Sequence, residues 1–123
     1  MRLRLAAGLL ILLIALPASA STWVSIGKTK PGSSYDIDSD SIHRDGNLVT
    51  FTVRAQYAPA IAETGADGFT AIRQANCADR TYVDIHTDYM KTGKVLNSTT
   101  NEETHAVKPG TIGARVLDKA CSK

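Results

Sequence analysis

The chain has 123 residues, of which 43% are hydrophobic, 21% charged and 6% aromatic. This length and balance fit one ordinary domain and exclude the collagen, coiled-coil and disordered classes. Two of the 14 basic residues, Arg2 and Arg4, lie in a predicted leader segment, and without them the basic residues equal the 12 acidic ones in number. A near-neutral chain is not expected to bind nucleic acid, because that binding requires clustered Lys and Arg.

Residues 1–20 have the three parts of a secretory signal peptide. Residues 1–4 are positively charged, residues 5–16 form an uncharged apolar run, and residues 18–20 place alanine at both small positions of a cleavage signal. A membrane anchor is the competing interpretation, but this run is shorter than the ~20 apolar residues that a helix needs to cross a bilayer. We therefore expect a signal peptide over residues 1–20, a domain without a membrane span over residues 21–123, and a periplasmic, secreted or cell-surface location.

The chain has two cysteines, Cys77 and Cys121. Exported proteins meet an oxidising environment, in which two thiols permit one internal disulfide. A redox-active pair and a metal site are the alternatives, although the Cys-x-x-Cys spacing that lowers a thiol pKa is missing. A disulfide that closes this segment would stabilise the fold by roughly 4 kcal/mol on the loop-entropy account.

Short segments with alternating apolar residues predict strands through the first half of the domain. Residues 22–26 and residues 35–38 each predict a short strand, and Trp23 anchors the first. Asp45-Gly46 predicts a tight hairpin turn, since both residues tolerate positive φ. Residues 48–54 predict the clearest strand, because apolar side chains alternate strictly with Thr and Arg.

The second half of the domain predicts a long connection, further strands and a closing helix. Residues 55–68 contain proline and two glycines, so we expect a hairpin loop or a flap that carries specificity. Residues 69–76 fit a helix or a strand by their period, and their place before another β-rich run favours a strand. Two further strands are predicted over residues 81–90 and 95–100. An amphipathic helix is predicted over residues 112–121, with Thr111 as its N-cap.

Few residues carry a recognisable chemistry. The chain has no Gly-x-Ser-x-Gly motif and no phosphate-binding glycine loop, so we predict no enzyme and no cofactor. His43, His86 and His105 lack a second ligand at metal spacing, so no metal site is predicted; His86 is expected to share a strand face with Asp84 and Asp88. Trp23 fits either a core position or an exposed binding anchor. Trp23, His43 and His86 are therefore the candidate binding residues.

The domain resembles the surface-adhesin protein E family through short motifs spread along its length. The order of the motifs, together with the two cysteines, carries the resemblance. The motifs are Trp23-Val24-Ser25-Ile26, Tyr35-Asp36-Ile37-Asp38, Ser41-Ile42-His43-Arg44-Asp45-Gly46-Asn47, Asn76-Cys77 with Arg80, Tyr89-Met90-Lys91-Thr92-Gly93-Lys94-Val95, Val107-Lys108-Pro109-Gly110-Thr111 and the closing Ala120-Cys121.

This resemblance implies an α+β fold with a single antiparallel β-sheet of about five to six strands and a C-terminal helix packed on one face. It also implies a Cys77–Cys121 disulfide and export in a Gram-negative bacterium. The best-known member of the family is a host-matrix adhesin that binds laminin, vitronectin and plasminogen, and that has been linked to haem binding and to dimer formation.

Three functional hypotheses follow. The leading one is an exported, non-enzymatic binding domain that recognises a host-matrix or envelope protein, with a homodimer as one expected form. The second is a periplasmic haem- or metal-binding protein that uses His43, His86 or His105. The third is an envelope-integrity factor without a dedicated ligand.

Overall fold

The structure, a computed structural model, describes residues 21–123. The predicted signal peptide over residues 1–20 lies outside these described residues. Alternating apolar and polar side chains favour strands over most of the described chain. The elements are β1 (Trp23–Lys28), β2 (Ser34–Asp38), β3 (His43–Asp45), β4 (Leu48–Gln56), β5 (Gly68–Asn76), β6 (Thr81–Lys91), β7 (Lys94–Thr100), β8 (His105–Ala106) and α1 (Ile112–Cys121).

The strands form one antiparallel sheet with the order β1-β2-β4-β5-β6-β7. Two short strands pair beside this path: β3 pairs with β4, and β8 pairs with β6. The described sheet therefore has eight strands, against the five to six expected, because these two short segments also make ladder hydrogen bonds. The predicted antiparallel sheet with a C-terminal helix on one face is confirmed.

The inner face of the sheet, which we define as the face toward α1, carries the apolar core. Val49, Phe51 and Val53 of β4 alternate inward and are almost fully buried, as their spacing predicts. Helix α1 presents Val116, Leu117 and Ala120 to this face and packs against β1, β2 and β4. Thr111 is the N-cap, as predicted, and its Oγ1 accepts a hydrogen bond from the Ala114 amide at 3.2 Å.

The end of α1 is joined covalently to the sheet. Cys77 directly follows β5, Cys121 is the last residue of α1, and the two form a disulfide with their Cα atoms 5.9 Å apart. Arg44 of β3 also holds this end, since its Nη1 donates to the Cys121 carbonyl at 2.6 Å. The predicted disulfide is therefore confirmed.

The connection between β4 and β5 is shorter than predicted. Strand β4 continues through Ala55 and Gln56, so the loop spans residues 57–67. The Tyr57 amide donates to the Asp67 carbonyl at 2.8 Å, and the Asp67 amide donates to the Met90 carbonyl at 2.9 Å. The segment is thus a hairpin loop whose first and last residues, Tyr57 and Asp67, are hydrogen-bonded to each other. Asp67 also bonds the loop to β6.

A β-bulge in β6 changes which side chains share a face. Ile72 pairs with His86, but the next residue, Arg73, pairs with Asp84, so Ile85 has no partner on β5. This extra residue in β6 reverses which side chains point to the inner face on one side of the bulge. The prediction that Asp84 shares a face with His86 is wrong, because Asp84 lies on the inner face and is 6% exposed.

Candidate functional site

The part of the inner face beside α1 forms a pocket of about 270 Å³. Helix α1 packs against the strands at one side of the sheet, and its first turns form one wall of the pocket. Aromatic side chains form most of the remaining walls, and charged and polar groups lie between them. The lining residues are Tyr35, Tyr57, Phe69, Arg73, Tyr82, Asp84, Thr87, Tyr89, Glu102, His105, Ile112, Gly113 and Val116.

The sheet register places the aromatic rings next to one another. Phe69 pairs with Tyr89 across the β5–β6 ladder, so both project from the inner face. The Tyr35 ring lies 6.3 Å from the Phe69 ring at an interplanar angle of 70°. The Tyr57 ring, at the start of the hairpin loop, lies 6.0 Å from Phe69 at 49°. The rings therefore stand at angles to one another and form walls rather than a flat surface.

A buried ion pair lies in the pocket. Arg73 Nε contacts Asp84 Oδ1 at 2.7 Å and Arg73 Nη2 contacts Asp84 Oδ2 at 3.2 Å, with both side chains less than a tenth exposed. The Arg73 guanidinium also lies 3.9 Å from the centroid of the Tyr82 ring. The bulge in β6 makes this pair possible, since it turns Asp84 toward Arg73.

Two further groups add polar character. Thr87 is 2% exposed, and its buried Oγ1 has no hydrogen-bond partner among the described residues. Tyr89 donates its hydroxyl to Glu102 Oε1 at 3.0 Å, and Thr99 donates to the same oxygen. Glu102 is thus held at the pocket with its carboxylate directed toward Tyr89.

The environment of the pocket raises the pKa of three tyrosines. Burial raises the pKa of Tyr57 to about 12, with smaller contributions from Tyr35, Tyr89, Glu102 and Asp84. Burial also raises the pKa of Tyr82, against the opposing effect of the Arg73 charge. For Tyr89, burial and then the hydrogen bond to Glu102 raise the pKa. These hydroxyls therefore stay protonated and uncharged at neutral pH.

The sequence-predicted binding residues lie on the opposite, outer face of the sheet. Trp23 pairs with Asp38, and the Arg54 guanidinium lies 4.1 Å from its ring centroid. His86 pairs with Ile72, which is 43% exposed. His43 is exposed and pairs with Thr50, which, like Arg54, projects from the outer face of β4. The register thus brings Trp23, His43 and His86 to one face.

The three histidines do not form a metal site. His105 pairs with Tyr82, and their rings lie 5.3 Å apart beside the pocket, so the sheet separates His105 from His43 and His86. His86 Nε2 is 2.8 Å from Asp88 Oδ1, and hydrogen bonds from Ser98 and then His86 lower the pKa of Asp88. Within residues 21–123, no group of three or more His, Cys, Asp or Glu is arranged to hold a metal ion.

Sequence reasoning missed the pocket residues, although one signal pointed to them. Arg73 occupies an inward position of β5 between Ala71 and Ala75. A charge at an apolar position of a strand indicates a buried partner or a site. The predicted face of Asp84 is wrong because no sequence pattern indicates the bulge in β6. Tyr57 falls within the predicted loop over residues 55–68, where no side-chain position is predicted.

Comparisons with solved structures show a shared fold. Two structures of Haemophilus influenzae protein E are similar to this chain: crystal form II (TM-score 0.52, 20% identity, covering 72% of this chain and 80% of that one) and a second structure (TM-score 0.50, 22% identity, covering 72% and 76%). A search of curated proteins gives no significant match. None of the helices in the described chain is long and apolar enough to cross a membrane.

The family comparison covers almost the whole described domain. The model of the family described as surface-adhesin protein E matches residues 23–122. Membership of such a family implies an exported or cell-surface protein and points to a non-enzymatic, adhesin-like role. The chain belongs to the surface-adhesin protein E family.

Proposed function

We propose that this protein is an exported, non-enzymatic adhesin-like domain that binds a host-matrix or envelope protein through the outer face of its sheet. The supporting observation is that this face is not covered by α1 and carries Trp23, Arg54, Ile72 and His86. Family membership supports the adhesin-like role.

The chemistry of the outer face favours a protein partner. Trp and Arg are enriched among the residues that dominate binding energy at protein interfaces, and here Arg54 is held over Trp23 before any partner binds. Asp36 also holds this side chain, since Arg54 Nε contacts Asp36 Oδ2 at 2.9 Å. A side chain that is already ordered loses less entropy on binding.

Solid-phase binding of the exported protein to immobilised laminin, to vitronectin and to envelope extract tests this proposal. We expect saturable binding to at least one of them, and Trp23→Ala should weaken it by about tenfold or more, in the range of an interface anchor. Lys119→Ala, at an exposed position on α1, is the matched control and should bind like the unsubstituted protein. Absence of binding to every partner, or equal losses for both variants, contradicts the proposal.

The haem and metal hypothesis has less support, because His105 lies across the sheet from His43 and His86. Titration with hemin and with divalent metals separates it from the adhesin-like role. We expect no saturable Soret shift and no calorimetric heat. A stoichiometric signal that is lost in His86→Ala would favour the haem or metal function instead.

A further inference from the structure

The pocket on the inner face is distinct from the proposed protein interface on the outer face, and its lining has the chemistry of a small-molecule site. We propose that it binds a small organic cation of the amino-alcohol class, with a quaternary or protonated tertiary ammonium group and a hydroxyl, such as choline. Three observations carry this inference: the arrangement of the rings, the balance of charges and one unpartnered hydroxyl.

The rings form the walls of a cage. Tyr35 and Tyr57 stand at 70° and 49° to Phe69, and Tyr89 projects beside Phe69 from the neighbouring strand. A cation is attracted to the face of an aromatic ring within about 6 Å, and cages of angled rings are the usual recognition site for quaternary ammonium groups. A sugar ring would instead need a broad flat surface.

The charges in the pocket favour a cation. The charge of Arg73 is compensated by two contacts to Asp84, at 2.7 and 3.2 Å, and its guanidinium already lies on Tyr82. Glu102 adds a carboxylate that, among residues 21–123, receives side-chain hydrogen bonds only from the hydroxyls of Tyr89 and Thr99. Arg73, Asp84 and Glu102 together therefore leave one negative charge, which an ammonium group would neutralise.

Thr87 is the residue that we assign to the ligand's hydroxyl. It is 2% exposed and lines the pocket, and its Oγ1 is buried in the wall without a partner within the described part of the chain. Buried hydroxyl groups are usually hydrogen-bonded, so an unpartnered one in a pocket wall points to a ligand atom that reaches it when the pocket is occupied. Thr87 lies on the same strand and face as Tyr89, so the hydroxyl and the rings can contact the two ends of one small molecule.

The volume agrees with a ligand of this size. The pocket of about 270 Å³ lies just below the roughly 300–1,000 Å³ that is typical of small-molecule sites. A molecule as small as choline suits a pocket of this size.

Calorimetric titration of the exported, oxidised protein with choline chloride tests the proposal, at pH 8 to stay above the ordinary titration range of histidine. We expect saturable binding. The uncharged isostere 3,3-dimethylbutan-1-ol should bind at least about tenfold more weakly, since it has the same shape without the charge. Equal affinity for the isostere, binding of glucose in place of choline, or no binding by the folded protein overturns the proposal.

Two substitutions assign the contacts. Glu102→Gln should weaken choline binding by about fivefold, because it removes the charge and keeps the shape. Thr87→Val should weaken choline binding but leave the affinity for tetramethylammonium, which has no hydroxyl, unchanged. Choline affinity unaffected by both variants overturns the proposal, and if Thr87→Val does not fold, Glu102→Gln and the isostere decide it.

A vesicle experiment distinguishes the two sources of this chemistry. Co-sedimentation with phosphatidylcholine vesicles that free choline reverses supports a lipid headgroup as the ligand. Choline binding without co-sedimentation supports a free solute. Co-sedimentation that choline does not reverse contradicts the assignment of this pocket.

Discussion

Arg73 and Asp84 show how two residues decide the character of the inner face. Each would be costly to bury alone, and each satisfies the other through a bidentate contact with side chains less than a tenth exposed. Tyr82 adds a ring face for the guanidinium. The pair occupies positions that would otherwise continue the apolar core, so it fixes where the core ends and where the pocket begins.

Removing one member of this pair tests its role in stability. Asp84→Ala should lower the free energy of unfolding by about 3–5 kcal/mol, because it leaves the Arg73 charge buried without a partner. Chemical denaturation monitored by circular dichroism measures the change. The double variant Arg73→Met/Asp84→Leu is the control and should recover most of the lost free energy of unfolding. A double variant as unstable as Asp84→Ala would show that the unpaired Arg73 charge is not the cause of the loss.

The tyrosines of the pocket make stability depend on alkaline pH. Burial raises the pKa of Tyr57 to about 12 and also raises the pKa of Tyr82 and Tyr89, so the folded state holds these protons more tightly than the unfolded chain, whose tyrosines titrate near 10. The stabilising contribution is complete below pH ~10 and is lost as the pH rises toward 12.

We therefore expect the free energy of unfolding to fall between pH 10 and about 12, measured by urea denaturation at each pH. Tyr57→Phe should make this fall shallower. Tyr35→Phe, which removes a hydroxyl from another ring of the pocket, is the comparison variant. A stability that stays constant or increases over this range would contradict the protonation states assigned to the pocket.

At the scale of elements, the disulfide determines whether α1 stays on the sheet. Cys77 and Cys121 join the end of β5 to the end of α1. The helix is also held by its apolar face, by Arg44 at its end and by an ion pair between Arg80 and Asp118. The covalent link restricts the unfolded chain, and the helix in turn forms one wall of the pocket. The bridge thus supports both the core and the inner-face site.

Cys121→Ser should lower the free energy of unfolding by ~2–5 kcal/mol and release the end of α1. Thermal denaturation and hydrogen exchange of residues 112–121 measure the two effects. Lys119→Ala, at an exposed position of the same helix, should leave both nearly unchanged. Equal melting of Cys121→Ser and the unsubstituted protein in oxidising buffer would refute this account.

The elements could be predicted from sequence where the pattern was strong. Local sequence preferences predicted the alternating burial of Val49, Phe51 and Val53 in β4 and the N-cap at Thr111, and the fold contains both. The bulge at Ile85 could not be predicted in this way, since it depends on how β5 and β6 pair. The pocket could not be predicted for the same reason: its residues come from four strands, two loops and a helix, and only the pairing brings them together.

The sheet of the whole molecule has two faces with different surface chemistry. The inner face combines a core under α1 with an aromatic pocket beside it. The outer face carries the Trp23 and Arg54 contact together with Ile72 and His86. Because the sheet lies between them, a protein partner on one face and a small ligand on the other would not compete directly.

The far edge of the sheet is relevant to self-association. Strand β7 is exposed except at Thr99, and Val95 is 54% and Leu96 45% exposed. An edge strand presents unpaired backbone groups that a second copy can pair with. The homodimer stays a prediction, and the edge of β7 is its proposed contact.

Hydroxyl-radical footprinting of the complex with whichever partner binds in the solid-phase assay tests the use of the outer face for protein binding, because it reports individual side chains and so separates the two faces of one sheet. We expect the bound partner to protect Trp23, Ile72 and His86 from labelling, while labelling of Tyr57 and Tyr89 in the pocket is unchanged. Protection of the pocket tyrosines with full labelling of Trp23 and His86 would contradict this use of the outer face.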